Sequence, residues 1–253
     1  MLNLWLSRVA KYGVMTSLLI SSSFAIASGL QVSPISLSLQ AKENASGLTL
    51  SNTGTDLVNA QVRVYQWTQN EQGDQLTTSR GLLASPPMVK LQPGEQQLIR
   101  IIRAKAPPQG AGAVEDTYRL VINEIPLNSP NKKAGLQFAL SYSLPVFIKP
   151  VGVTETSPKL QWNYRLQPDG EKIKLSVSNS GNGHAQLASL SMIDSLGNNT
   201  DIHKGLLGYV LPGASMHWTL KVPPVALKPG SKFKVMINGT QTTQNFTLDD
   251  STH

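Results

Sequence analysis

From Leu30 onward, apolar residues alternate with polar ones in short runs: Ile35, Leu37 and Leu39; Leu48 and Leu50; Ala60, Val62 and Val64; Tyr118, Leu120 and Ile122. A period of two gives a pleated strand one apolar face, and no segment sustains the i, i+3, i+4, i+7 spacing of an amphipathic helix. The runs are punctuated by Asn52-Thr53-Gly54, Pro93-Gly94, Asn179-Ser180-Gly181 and Pro229-Gly230, all turn-favouring combinations. Short strands between frequent turns predict an all-β chain of the sandwich type.

The same signals occur twice in the same order. Leu48-Thr-Leu-Ser-Asn-Thr-Gly returns as Leu175-Ser-Val-Ser-Asn-Ser-Gly, and Leu91-Gln-Pro-Gly before a strand returns as Val210-Leu-Pro-Gly before Met216-His-Trp-Thr-Leu. Two ordered matches predict two related sandwiches in tandem, over residues 28–149 and 150–253, with the joint at 149–153 where Pro150 and Gly152 suit a short connector.

The N-terminus follows another pattern. Arg8 and Lys11 precede an apolar stretch from Val14 to Ile26, and Ala25-Ile26-Ala27 fits a small-x-small cleavage site, so residues 1–27 read as a signal peptide. Export follows, a retained anchor being the other reading of the segment; the lack of cysteine is compatible with a bacterial periplasm, and no membrane span is expected after cleavage, because no later apolar run approaches the roughly 20 residues a spanning helix needs. Losing Arg8 and Lys11 lowers the formal charge from +7 to about +5. There is no cysteine, which excludes disulfides, thiol catalysis, thiolate-bound zinc and iron–sulfur clusters, and leaves stability to packing.

Chemistry is sparse elsewhere. The sequence has no G-x-S-x-G elbow, Walker A loop, H-E-x-x-H or EF-hand loop. Ser129 and Lys132 satisfy S-x-x-K but sit in a turn without companion motifs, and His184, His203, His217 and His253 share no metal-ligand spacing. Arg100, Arg103 and Lys105, Lys172 with Lys174, and Lys232 with Lys234 read as solvated strand faces rather than a nucleic-acid stripe. No enzyme, cofactor, metal site or nucleic-acid partner is therefore expected. Leu136, Phe138, Leu140, Tyr142, Leu144 and Val146 make the longest strict alternation in the chain, interrupted by Pro145, which belongs on an edge, at a strand end or at a bulge. A long apolar edge strand is a pairing hazard unless pairing is its job, and a strand lent to another protein accounts for both features.

Several stretches resemble the PapD-like periplasmic chaperones of the chaperone–usher pilus pathway. Ser85-Pro86-Pro87 through Leu91-Gln-Pro93-Gly94 to Leu98-Ile99-Arg100-Ile101 is similar to the family's Pro-Pro, Leu-x-Pro-Gly and Arg-containing strand. Asn123-Glu124-Ile125-Pro126 is similar to its Glu-Ile-Pro, and Leu136-Gln-Phe-Ala-Leu leading to Phe147-Ile-Lys-Pro150 to its donor strand. The resemblance implies two immunoglobulin-like domains in a boomerang arrangement, with pilin subunits and an outer-membrane usher as partners. It also implies donor-strand complementation by Leu136, Phe138 and Leu140, with Tyr142 as an extension. A self-capping dimer of the free chaperone stays open. Ser36 and Pro145 occupy the positions of the usual basic pair that holds the subunit's C-terminal carboxylate, a departure pointing to the archaic branch and to Arg119 as the anchor; a cross-strand partner for an acid is the other reading of Arg119. Glu124 and Lys149 match two members of an interdomain ion-pair network whose third position aligns with Ala226. The rival function is an exported two-domain adhesin or carbohydrate-binding module, which needs an aromatic cluster on one face, whereas Trp67, Trp162 and Trp218 are spread over both domains.

Overall fold

The computed structural model describes residues 29–126, 139–168, 170–194, 197–222, 231–244 and 247–248. The signal-peptide segment, Leu136, Phe138 and Ala226 lie outside these residues. All regular structure among them is strand. The first half holds β1 (Leu30–Ser33), β2 (Leu37–Leu39), β3 (Ala45–Asn52), β4 (Val58–Asn70), β5 (Gly73–Thr78), β6 (Leu82–Ser85), β7 (Met88–Leu91), β8 (Gln96–Arg103), β9 (Asp116–Ile125) and β10 (Ser141–Ile148). The second holds β11 (Leu160–Leu166), β12 (Lys172–Asn179), β13 (Ala185–Ile193), β14 (Asn199–Val210), β15 (Ser215–Lys221), β16 (Lys232–Ile237), β17 (Thr240–Gln244) and β18 (Thr247–Leu248).

In the first half, one sheet runs β1-β3-β8-β6 and the other β2-β10-β9-β4-β5, with β7 also on β4. In the second, the sheets run β15-β12-β11-β18 and β14-β13-β16-β17. Each pair of sheets closes over its own core: Leu39, Leu48, Leu50, Ile99, Ile101, Tyr118, Leu120 and Ile122 in one, Ile173, Leu175, Val177, Leu187, Val210 and Val235 in the other. These are the alternating residues of their strands, whose burial drives the layers together. Ile35 departs from its expected place: it is 71% exposed, because β2 begins only at Leu37.

The sequence repeat has a physical basis. Asn52 and Asn179, the asparagines of the two matching stretches, are both buried. Asn52 donates from Nδ2 to the carbonyls of Leu91 (3.1 Å) and Asp56 (2.7 Å), while its Oδ1 accepts from Gly54 N (3.0 Å). Asn179 donates to the carbonyls of Val210 (3.0 Å) and Gly183 (2.8 Å) and accepts from Gly181 N (2.9 Å). Leu91 and Val210 are the first residues of the two Pro-Gly turns, and those turns return bonds from Gly94 N to Asn52 O and from Gly213 N to Asn179 O, each at 2.8 Å. Each domain thus uses one buried amide to tie its Asn-x-Gly turn to its Pro-Gly turn, satisfying polar backbone groups that water does not reach.

Candidate functional site at the domain joint

β10 is paired unequally along its two edges. On one side it runs antiparallel to β9 throughout, from Ser141 opposite Asn123 to Ile148 opposite Asp116. On the other, it meets β2 in parallel only at Val146, Phe147 and Ile148. From Ser141 to Pro145 that second edge has no strand beside it among the described residues. Glu124 N donates to Leu140 O (2.8 Å), so Leu140–Glu124 is a hydrogen-bonded pair, and by alternation Ser141, Ser143 and Pro145 turn their backbone groups to the free edge. Pro145 lacks an N–H only on that side, so its presence costs no bond to β9.

Leu140, Tyr142, Leu144 and Val146 face inward and pack on the first core, Leu140 and Tyr142 only half-buried. Tyr142 also reaches the facing sheet, where its hydroxyl donates to Leu30 O at 2.6 Å. Thr117, Arg119, Pro145 and Phe147 occupy the opposite face, by register with one another. Trp67 joins them because β4 buries Val58, Ala60 and Val62 inward, and an odd number of residues later Trp67 is buried on the outer side.

That outer face meets the second domain. Trp67, Phe147 and Leu211 form a small buried cluster with Tyr209 and Ala214 against it. The Tyr209 ring stands edge-on to Trp67 (centroids 5.3 Å, 80°), and Phe147 stacks flat on the His184 imidazole (3.5 Å, 1°). An aromatic cluster therefore does exist, where the sequence suggested only scattered tryptophans, but it is buried between the domains rather than spread over an open face. Gln69 bridges the halves, donating from Nε2 to Tyr209 O (2.9 Å) and accepting at Oε1 from Leu211 N (2.8 Å).

Arg119 lies in this joint with its side chain 12% exposed. Its guanidinium carbon sits 3.6 Å from the Trp67 ring centroid and 5.1 Å from that of Tyr209. Its polar contacts are long: Nη1 donates to Ser143 O at 3.4 Å, and Nη2 stands 3.9 Å from Asp74 Oδ2. Burial pulls its pKa below the ordinary guanidinium value, opposed by the nearby charge of Asp74. Asp74 is thus the acid that the alternative reading of Arg119 required, held at ion-pair range but outside hydrogen-bond range. In the register, Arg119 opposes Pro145, and Ser36 immediately precedes the Leu37–Val146 pair, so the cation stands in the same row as the two positions that lack one.

The expected pairing of Glu124 with Lys149 is not formed. Glu124 lies beside Leu140, whose N–H it accepts at Oε2 (3.1 Å), whereas Lys149 follows the Ile148–Asp116 pair and donates from Nζ to Thr154 O (3.0 Å). At about 3.3 Å per residue the two occupy opposite ends of the ladder, roughly 30 Å apart. Among the described residues a charged tie between the domains is made instead by Glu115, which the sequence did not single out. Its carboxylate, 2% exposed, accepts from His184 N (2.9 Å), contacts His184 Nδ1 (2.7 Å) and accepts from Thr156 Oγ1. Burial raises the Glu115 pKa, but the bonds and charge of His184 together with the Thr156 hydroxyl outweigh it and hold the carboxyl below its usual value. No group of three His, Asp or Glu among the described residues could hold a metal ion, and no helix there is long and apolar enough to cross a membrane.

Residues 29–154 match the family model for the pili and flagellar-assembly chaperone, PapD N-terminal domain. The chain belongs to the PapD-like family of pilus-assembly chaperones. A curated relative, the chaperone protein PmfD of Proteus mirabilis, is 24% identical over 163 residues, which is 64% of this chain and 62% of that protein's length. The PapD-like fold extends to both sandwiches. The chaperone in the CsuC–CsuE chaperone–tip adhesion subunit pre-assembly complex, from archaic chaperone–usher Csu pili of Acinetobacter baumannii, matches with a TM-score of 0.66 and 24% identity. That match covers 87% of this chain and 99% of the other. The Pseudomonas aeruginosa CupB2 chaperone matches at 0.57 and 18%, over 87% and 100%. The Salmonella enterica SafA pilin complex with the SafB chaperone matches at 0.58 and 18%, over 86% and 96%. All of these relatives are chaperones rather than enzymes, and two of the structures hold the chaperone with a pilus subunit, the Csu tip adhesion subunit and the SafA pilin.

Proposed function

We propose that the chain is a periplasmic chaperone that binds pilin subunits by donor-strand complementation through β10 and delivers them to an outer-membrane usher. The observation that carries this reading is the free edge of β10 from Ser141 to Pro145, continuous with the apolar alternation of Leu136, Phe138 and Leu140. A subunit strand laid there gains backbone bonds to Ser141 and Ser143, while inward-facing side chains contribute roughly 1.5 to 3 kcal/mol each when fully buried. Arg119, at the inner end of the same edge and short of close acceptors, holds the subunit's C-terminal carboxylate with two parallel N–H···O bonds. The absence of cations at Ser36 and Pro145 supports membership of the archaic branch. Substituting Leu140→Asp or Phe138→Asp abolishes co-purification of a pilin from the periplasm while the chaperone stays folded. A wild-type yield of complex from either variant overturns the donor-strand assignment.

A further inference from the structure

We infer that Tyr209, which belongs to the second domain, is a positioning residue for the Arg119 guanidinium, so that carboxylate capture and closure of the domain joint form one coupled equilibrium. This rests on the reading of Arg119 as the carboxylate anchor. A guanidinium has five N–H donors, yet among the described residues the polar contacts of Arg119 are those at 3.4 and 3.9 Å. Polar contacts of that length do not set the orientation of the fork. The rings do. Trp67 forms one wall 3.6 Å from the guanidinium carbon, and Tyr209 forms a second at 5.1 Å.

Both walls are themselves held. Trp67 is fully buried, and its carbonyl accepts from Thr117 Oγ1 at 2.6 Å. Tyr209 bonds through its hydroxyl to Gln186 Nε2 (2.7 Å) and through its carbonyl to Gln69 Nε2 (2.9 Å). Gln69 is in the first domain and Gln186 in the second, so the ring keeps its place only while the joint is closed. Opening the joint removes one wall from the cation and returns part of its surface to water. By linkage, a carboxylate that binds the walled cation better than the open one must close the joint by the same factor. A site made of one domain alone would have no such dependence.

The test uses the full chain and a pilin that co-purifies with it, prepared once with its free C-terminal carboxylate and once as the C-terminal amide. The wild-type chain binds the acid more tightly than the amide, and Arg119→Ala removes the difference. Equal wild-type affinity for both forms refutes the anchor, and the coupling with it. With the anchor standing, Tyr209→Ala shrinks the acid preference by about 10- to 30-fold, the worth of a well-desolvated cation–ring contact, and leaves amide binding unchanged. Tyr209→Phe, which keeps the ring and loses only the bond to Gln186, restores most of the preference. Gln69→Ala, which loosens the closure without touching Arg119, lowers the preference in the same direction and stands in if Tyr209→Ala does not fold. A full acid preference in Tyr209→Ala, or in Gln69→Ala where that variant stands in, overturns the role of Tyr209 while leaving Arg119 as the anchor. Equal loss for acid and amide overturns it as well, since that marks a structural residue.

Discussion

Removing the Glu115 carboxylate tests how the two domains are locked. In Glu115→Ala, the His184 N–H, the His184 ring and the Thr156 hydroxyl all lose a buried acceptor, while the His184 side chain keeps 21% exposure to water. A few stranded donors at about 1 to 3 kcal/mol each, less what water at the part-exposed imidazole recovers, make the expected loss about 2 to 4 kcal/mol. Domains are stable by only about 5 to 15 kcal/mol, so the loss is large. Urea unfolding followed by tryptophan fluorescence measures it, with Trp67 reporting directly from the joint. The sign of the pH dependence follows from the carboxyl being held below its usual value of 4.5. Its contribution is complete above the unfolded-state pKa and disappears as pH falls through the lower folded-state value. The gap in stability between wild type and Glu115→Gln therefore narrows as pH falls below about 4.5. A Glu115→Ala variant within about 0.5 kcal/mol of wild type at pH 7, or a Glu115→Gln gap that widens as pH falls below about 4.5, refutes the assignment of Glu115 as the lock.

The buried amides make a second set of tests. Asn52→Ala and Asn179→Ala each leave two carbonyls and a glycine N–H without their side-chain partner, and Asn179→Ala the Lys159 N–H as well; each is expected to cost about 2 to 4 kcal/mol, read as a lower urea midpoint at unchanged slope, and a loss below about 1 kcal/mol shows that the turns hold without the amide. At Gly81 an added Cβ would collide with the Tyr118 hydroxyl, which itself donates to Asp116 at 2.9 Å, so Gly81→Ala should destabilise by about 1 to 3 kcal/mol in thermal unfolding, and an unchanged midpoint would show that the tyrosine yields.

The alternation of Leu48, Leu50, Tyr118, Leu120 and Ile122 was enough to predict strands and their inward faces, because a half-buried strand writes its burial directly into every second residue. The repeat around Asn52 and Asn179 was equally visible, although its cause, a side chain spanning 39 residues to Leu91 in one copy and 31 to Val210 in the other, is a tertiary fact. The joint was mostly hidden. Glu115 and His184 are 69 residues apart and belong to no motif, and nothing local marks either as a partner. One local signal did exist: Trp67 falls out of phase with Val58, Ala60 and Val62, and a large apolar residue on the wrong face of a strand announces a second surface to bury against. Glu124 and Lys149 illustrate the opposite failure. Both positions suit the family pattern, but register sets distance, and the β9–β10 register separates them.

If β10 takes up a subunit strand as proposed, its uneven pairing gives that capture a direction in time. Its last three residues are clamped between β9 and β2, while the segment from Ser141 to Pro145 is clamped on one side only. An incoming strand therefore finds its most rigid template beside Pro145 and Arg119, and its loosest farther out toward Leu140. On that reading, contact would be seeded at the joint and propagate outward as a zipper, each new pair ordering the next. The seed would read the end of the guest chain before its side chains are sampled, so a guest with the wrong terminus would be released early and one with the wrong groove late. Arrival and rejection would then have separate rate constants, set by residues at opposite ends of one strand.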